Sequence, residues 1–319
     1  MNEFKIIKNY FQKLSKKSPG ALNLNDDVFF DKKKKLVISV DTYIEGNHFI
    51  NFKKPELVIK KIIRSSISDL ICKGVQPKYY FISGSGNKKS FSKSNLSKIS
   101  KSLNEEQNKY KIVLCGGDTV FSNKLSFTIT SIGFATNIIY RNQAKINDDI
   151  YVSGNLGDSY LGLLVLKNKI KLNRLFTKYF ANQYFMPNLQ LALTTHIKNF
   201  ANTSIDISDG LITDLDKMIN TQKLSYKLYL NEVPISKNLR KIIDLKKLSK
   251  VNYISNGDDY QVLFTASKNK RRIIAKIATN FKIKLTKIGT IQSVGKKFSI
   301  VDHKNKEISL KNKGYFHQF

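Results

Sequence analysis

A short apolar run that stops at two glycines and an aspartate constrains the fold of this chain more than any other feature. The run, residues 112–115, predicts a buried strand, and Gly116 and Gly117 follow it directly. Glycine has no Cβ, so its backbone can turn tightly and bring N–H groups close to a ligand. Asp118 then lies at the carboxyl end of the strand, where open α/β sheets bind ligands. Amides beside a carboxylate suit a metal–phosphate ligand, and an ordinary tight turn with a solvated aspartate is the alternative.

Aspartates elsewhere occupy comparable positions, in turns or at the ends of predicted elements. Asp41 follows a strand predicted over 36–40, and Asp69 lies near the end of a predicted helix that Pro55 opens. A carboxylate on the apolar face of a helix end is unfavourable by burial and by the helix dipole, so Asp69 needs a partner, which a metal ion would provide. The aspartates placed in this way are Asp26, Asp27, Asp41, Asp69, Asp118, Asp206, Asp209, Asp258 and Asp259.

This use of aspartate is selective, because the chain has only 24 acidic residues against 55 basic ones. Aspartate is short and rigid, whereas a solvated surface would use glutamate as readily. Unperturbed aspartate has a pKa of about 4, so several in one cleft repel one another at pH 7 unless divalent cations intervene. Mg²⁺ prefers carboxylates, water and substrate phosphates. The residues therefore predict Mg²⁺-dependent phosphoryl chemistry, with neither a P-loop nor a kinase catalytic-loop sequence.

Two stretches of the second half add candidate ligand groups. Asp206, Ser208 and Asp209 cluster where a helix is predicted to begin, and N-capping would explain one of the three. The glycine-rich turn 154–159 joins a strand predicted over 149–153 to a helix from Tyr160, a geometry that aims backbone N–H groups at an anion. Its spacing is not that of a dinucleotide-binding fingerprint.

The net charge of +31 invites a nucleic-acid or anionic-membrane interpretation. The lysines are spread along the whole length, however, which indicates a composition bias and leaves a basic RNA- or polyanion-binding protein as the less favoured alternative. Cys72 and Cys115 cannot build a disulfide framework and fit a reducing cytosol. No apolar run reaches the roughly 18 residues that span a bilayer. We expect a cytoplasmic protein with no specific nucleic-acid partner and no membrane partner.

The order of the elements predicts an α/β chain with two domains. We assign residues 1–138 to an N-terminal domain and 139–319 to a C-terminal one, with the boundary inside 137–148. An amphipathic helix is predicted over 2–17, with one face packed on the body of the protein. A further helix is predicted over 187–199.

Nine segments, taken together and in order, resemble the thiamine-monophosphate kinases, within the superfamily of aminoimidazole ribonucleotide synthetase-like ATP enzymes. GGDT, D-T-x-x-x-G-N-H-F and I-D-x-S-D-G-L are specific in combination, although each alone is weak. The segments are LNLNDD (22–27), SVDTYIEGNHF (39–49), SISDL (66–70), LCGGDT (114–119), YRNQA (140–144), SGNLGDS (153–159), SIDISDGL (204–211), NGDDY (256–260) and GYFH (314–317).

The resemblance implies a two-domain synthetase-like fold of mixed α/β (α+β) class. Its N-terminal domain would bind ATP and Mg²⁺, and its sheet would pair with that of a second copy into a barrel. A C-terminal α/β domain would flank the cleft. The implied activity is transfer of the ATP γ-phosphoryl to thiamine phosphate in a homodimer that uses several Mg²⁺ ions. The alternative is another ATP-dependent enzyme of the superfamily that acts on a different phosphorylated substrate.

The resemblance also assigns site residues. The metal-binding set would be Asp27, Ser39, Val40, Asp41, Asp69, Asp118, Asp206 and Asp209. The ATP contacts would be Gly117, Asp118, Arg141 and Ser208, with Asp118, Asp209 and Arg141 as the catalytic set. Thiamine phosphate would be contacted by His48, Asp258 and Tyr315.

Three departures from the family pattern fall in these segments. LNLNDD lacks the glycines that usually precede the aspartate pair, and Val40 stands where the family has a hydroxyl residue. Asp258 is one methylene shorter than the expected glutamate. None of the three removes a central metal carboxylate.

Overall fold

The computed structural model of this chain describes residues 3–293, 295, 297–308 and 314. Its α-helices are α1 Glu3–Ile6, α2 Pro55–Cys72, α3 Lys93–Tyr110, α4 Asp158–Leu166, α5 Arg174–Phe185, α6 Leu211–Met218, α7 Lys237–Lys246, α8 Lys250–Ile254 and α9 Arg271–Asn280. Its strands are β1 Phe29–Asp31, β2 Leu36–Ile44, β3 Pro77–Gly86, β4 Val113–Phe121, β5 Ser126–Phe134, β6 Asp149–Ser153, β7 Ala201–Asp206, β8 Ser225–Tyr229, β9 Val262–Ala266, β10 Leu285–Gln292 and β11 Ser299–Val301.

The first half of the chain folds into a five-stranded sheet in the order β1-β2-β5-β3-β4. Side chains alternate along β5, and Phe127, Ile129 and Ser131 are buried on one face of the strand. The buried face packs against α2, where the hydroxyls of Ser66 and Ser131 lie 2.8 Å apart. α2 also contacts β7 and α5 of the second half and is buried along most of its length. This helix therefore holds the two halves together.

β4 lies at the edge of this sheet and is exposed along its whole length. The prediction of a buried strand at 112–115 is therefore wrong for this chain by itself. Val113 is 52% exposed and Phe121 is 76% exposed. An apolar run cannot reveal whether its strand is covered by the same chain, and a long apolar edge strand is a ready site for pairing with another chain.

The second half folds into a six-stranded sheet in the order β11-β8-β10-β6-β9-β7. β6 has the predicted bounds and is buried at all five positions, because it is antiparallel to both β9 and β10 near the centre of the sheet. α4 begins at Asp158, close to the predicted start. The predicted boundary segment 137–148 connects the two sheets.

Two helix predictions differ from the structure. The segment 3–17 is broken into α1, a π-helical turn (Ile7–Phe11) and a 3₁₀ turn (Leu14–Lys17), and its Phe11 and Leu14 are exposed rather than packed. Residues 187–199 form short 3₁₀ turns, whereas α5 lies just before them. Pro187 explains the shift, because a proline disfavours helical geometry in the residue before it. None of the helices in the described part of the chain combines the length and the apolarity needed to span a bilayer.

Candidate functional site

Three aspartates from distant parts of the chain meet between the two halves. One carboxylate oxygen each of Asp27, Asp69 and Asp206 lies within 4.8 Å of the others. Asp27 lies just before β1, Asp69 lies in the last turn of α2, and Asp206 ends β7. The predicted convergence of these three residues is therefore present in the structure. We call Asp27, Asp69, Asp206 and the neighbouring Asp41 the acidic cluster.

The pKa values of the carboxyl groups in the acidic cluster are raised by burial and by the closeness of like charges. Burial and the charge of Asp206 raise the pKa of Asp41 to about 7. Burial, followed by the charges of Asp41 and Asp206, raises the pKa of Asp69 well above its usual range. Burial likewise raises the pKa of Asp206. The carboxylates are thus close enough to disfavour one another's ionised forms when no cation lies between them.

The donor atoms of the cluster fit a hard divalent cation such as Mg²⁺. All of its side-chain donors are carboxylate oxygens. Among the described residues, Asp206 Oδ2 is buried without a hydrogen-bond partner, a costly arrangement that a metal ion would relieve. Ser39 supports the cluster, since its hydroxyl donates a short hydrogen bond to Asp69. The side chain of Val40 is 60% exposed, on the other face of β2, so only its backbone could contribute.

Two cations that flank the cluster offset part of its negative charge. Arg141 donates from its guanidinium to Asp27, and its backbone N–H donates to Asp26 Oδ2 at 2.9 Å. Lys73, at the end of α2, is fully buried and contacts both Asp26 and Asp27. Arg141 is among the predicted residues, whereas Lys73 is not. In a chain with 55 basic residues, no sequence signal separates this lysine from the others.

Asp209 and Ser208 lie in the turn that leads into α6. The Asp209 carboxylate pairs with Lys217, which also lies 3.4 Å from Asp214. The buried Asp214 accepts the backbone N–H groups of Asp209 and Gly210, and burial raises its pKa to about 7. Capping at this helix start is thus done by Asp214, which leaves the predicted roles of Asp209 and Ser208 as ligand residues still to be tested.

The predicted substrate residues His48 and Asp258 approach each other through two connecting side chains. Lys61 is almost completely buried and pairs with Asp258 at 2.7 Å. Its ammonium lies 4.0 Å from the centre of the Tyr184 ring, and the Tyr184 hydroxyl donates to the carbonyl of His48 at 3.3 Å. A cavity of about 310 Å³ opens beside Asp258. Tyr315, the third predicted contact, lies outside the described residues.

The glycine-rich turn 154–159 binds a carboxyl group of the same chain through a backbone N–H. The backbone N–H of Gly157 donates to both carboxylate oxygens of Asp259, at 3.0 Å each. The sequence correctly indicates an anion at this turn, but the anion belongs to the chain itself. Burial raises the pKa of Asp259 well above its usual range.

The structure separates Asp118 from the acidic cluster. Cross-strand pairing places Asp118 in one row with Thr42, across β4, β3, β5 and β2. Three strand spacings put the two backbones about 14 Å apart. Asp118 is exposed, whereas Asp41, next to Thr42, lies on the face that packs on α2. The fold itself requires glycine at position 117, because a Cβ there would lie 1.8 Å from the carbonyl oxygen of Ile82.

Comparisons with known proteins agree with this architecture. Residues 24–135 match the family described as AIR synthase related protein, N-terminal domain. The chain is 34% identical to the thiamine-monophosphate kinase of Buchnera aphidicola subsp. Acyrthosiphon pisum, over 99% of this chain and 98% of that protein. It is 32% identical to the thiamine-monophosphate kinase of Haemophilus influenzae, over 83% and 81% of the two chains.

A solved structure extends the likeness to three dimensions. AaThiL complexed with AMPPCP and TMP superposes with a TM-score of 0.86 at 25% identity, covering 99% of this chain and 97% of that one. The likeness therefore includes both sheets and the cleft between them. By sequence over nearly its full length and by fold, this chain belongs to the thiamine-monophosphate kinase family.

Proposed function

We infer that this protein is a thiamine-phosphate kinase, which transfers the γ-phosphoryl of ATP to thiamine phosphate and releases thiamine diphosphate and ADP. Membership of the family supports the reaction, and the likeness to AaThiL with AMPPCP and TMP supports the two substrates. The observation in this chain that carries the inference is the acidic cluster, where Asp27, Asp69 and Asp206 converge with Arg141 beside them.

The acidic cluster would hold several Mg²⁺ ions through Asp27, Asp41, Asp69 and Asp206, with Asp209 at its border. When bound, such ions neutralise charge on the phosphates of ATP and on the transferring phosphoryl group. Arg141 would contact a phosphate of ATP from its place beside Asp27. Ser39 keeps the Asp69 carboxylate oriented.

The acceptor needs no strong general base. A phosphate monoester has a second pKa of about 6, so at pH 7 it is largely a dianion and already a nucleophile. The work of the protein is then to hold the acceptor in line and to offset charge. Lys61 fixes the position of Asp258, and Tyr184 ties the same lysine to the loop that carries His48.

We propose further that the enzyme is a homodimer in which β4 pairs with a second copy. The exposed edge of β4 supports this, because Val113, Val120 and Phe121 would otherwise leave apolar surface in water. Asp118 and Gly117 would then belong to the active site of the partner subunit. This arrangement would reconcile the family assignment of Asp118 with its distance from the acidic cluster of its own chain. A cytoplasmic location is part of the same proposal, since both cysteines are free.

One assay tests the proposed reaction. The purified protein is incubated with ATP, MgCl₂ and thiamine phosphate, and thiamine diphosphate and ADP are separated by chromatography. We expect the two products in equal amounts and none in the presence of EDTA. Other phosphorylated acceptors serve as the comparison. Product from one of these but not from thiamine phosphate would move the enzyme to another branch of the superfamily.

A further inference from the structure

Lys73 occupies an unusual position for a lysine. Its side chain has no exposure to solvent, although it lies beside an aspartate pair at the border of the acidic cluster. The ammonium group has three close contacts: it forms ion pairs with Asp26 Oδ1 at 2.7 Å and Asp27 Oδ2 at 2.8 Å, and it donates a hydrogen bond to the carbonyl oxygen of Ser204 at 2.8 Å. Three contacts from different parts of the chain hold the group in one place.

The charge on Lys73 acts on the rest of the cluster. Burial is the largest single effect and opposes ionisation of the lysine, but the charges and hydrogen bonding of its neighbours, Asp26 foremost, together outweigh it and raise the pKa of Lys73. The positive charge of Lys73 in turn lowers the pKa of Asp69 and of Asp206, against the effect of their burial. The lysine is therefore a permanent cation that faces the same carboxylates as a bound metal ion would.

We propose that Lys73 is a built-in counter-cation, which keeps the acidic cluster assembled without metal and weakens the binding of divalent ions at its Asp27 end. It weakens that binding in two ways. Lys73 occupies Asp27 Oδ2, an oxygen that an ion would otherwise use, and its ammonium repels a dication a few ångströms away. The proposal rests on the assignment of the acidic cluster as the Mg²⁺ site of the kinase.

Thermal unfolding against MgCl₂ concentration, without nucleotide, tests this without measuring activity. Lys73→Met keeps the volume and removes the charge. We expect it to lower Tm in EDTA and to reach half of its magnesium stabilisation at an about tenfold lower Mg²⁺ concentration than wild type. Lys73→Arg keeps the charge and should behave like wild type.

Lys61→Met is the matched control. Lys61 is also buried and ion-paired, but its partner Asp258 lies outside the acidic cluster. Its replacement should lower Tm and leave the Mg²⁺ midpoint unchanged. If Lys73→Met does not fold, Lys73→Met combined with Asp26→Asn restores the net charge of the region, and we expect it to fold with a midpoint that is lower than that of wild type because Asp27 Oδ2 is freed.

A midpoint that is unchanged or raised in Lys73→Met would overturn the proposal while leaving the kinase intact. A double variant whose midpoint is not lower than that of wild type would do the same. If Mg²⁺ stabilises neither wild type nor the variants, the magnesium site itself is wrong and the proposal falls with it. The chromatographic kinase assay, run separately on wild type, distinguishes these cases from a failure of the proposed reaction.

Discussion

Asp41 and Asp118 lie on opposite faces of the same sheet, with the backbone of Asp118 three strands away from that of Thr42, the neighbour of Asp41. The family pattern assigns both to one metal site. A single chain cannot bring them together, because side chains on opposite faces of a sheet point in opposite directions. Either Asp118 has no part in the site, or a second chain supplies it.

Mixed dimers decide between these possibilities. We expect Asp118→Asn to fold normally, because its carboxylate is exposed and, within the described part of the chain, accepts only the N–H of Thr119. We also expect it to lose nearly all turnover. Asp206→Asn should be inactive as well. When the two inactive variants are mixed and allowed to exchange subunits, each heterodimer would regain one intact site, with Asp206 from one chain and Asp118 from the other.

Turnover per heterodimer is then about half that of a wild-type dimer, because the second site carries both substitutions. Subunit exchange is followed with two affinity tags, and the doubly tagged fraction is assayed for thiamine diphosphate. A fully inactive heterodimer would place Asp118 and Asp206 in the site of the same chain. Near-wild-type activity of Asp118→Asn alone would remove that residue from the mechanism.

Asp206→Asn should separate activity from stability. The Asp206 carboxylate is buried among like charges, and burial raises its pKa, so its ionised form is unfavourable in the metal-free fold. We expect Tm in EDTA to rise in the variant, while turnover with saturating Mg²⁺ falls by at least about 100-fold. Differential scanning calorimetry and the chromatographic assay give the two values. A fall in both would show that Asp206 holds the fold together, which is incompatible with a metal-binding role alone.

The sequence predicts the helices and strands of this fold better than it predicts what each of them packs against. β6 and the start of α2 were predictable because apolar runs and an opening proline are local signals. The exposure of β4 was not, since burial of a strand depends on what covers it. The helix expected over 187–199 fails for a local reason, because Pro187 ends the preceding segment instead of beginning a new one.

The candidate site shows the same division. Asp27, Asp69 and Asp206 could be predicted, because aspartates beside small residues at element ends point to a shared ligand. Lys73 and Lys61 could not, since each is one lysine among many and becomes distinctive only through burial beside a carboxylate. The positions of lysines that pair with buried carboxylates depend on tertiary packing, and the spacing of residues along the chain does not reveal them.

Asp258 offers a test of the acceptor site. Its carboxylate is held by Lys61 at 2.7 Å and by the Tyr260 hydroxyl at 3.0 Å. We expect Asp258→Asn to lower kcat/KM for thiamine phosphate by about 10- to 100-fold and to leave KM for ATP unchanged, because the proposed function assigns Asp258 to the acceptor. Steady-state kinetics with each substrate varied in turn measure this.

Tyr260→Phe is the control for the geometry around Asp258. It removes one hydrogen bond to the carboxylate but keeps the negative charge and the ion pair with Lys61. A loss much smaller than that of Asp258→Asn is expected. Equal losses in both variants, or an increase in KM for ATP alone, would contradict a direct contact between Asp258 and the acceptor.

Asp158 makes the stability of this protein depend on pH. Burial raises its pKa to about 6, although Ser236 and Tyr179 donate hydrogen bonds to the carboxylate. Because the pKa is higher in the folded state than in the unfolded chain, folding is favoured while Asp158 is protonated, and that advantage is lost as pH rises from about 4 through 6.

Asp158→Asn cannot ionise. We therefore expect the free energy of unfolding of the variant, relative to wild type, to increase by about 2 kcal/mol between pH 4 and pH 7. Urea unfolding at a series of pH values measures the difference, and Asp244→Asn, which removes an exposed carboxylate, is the control for the loss of one negative charge. A difference that stays constant over this range would mean that Asp158 is not the group that titrates.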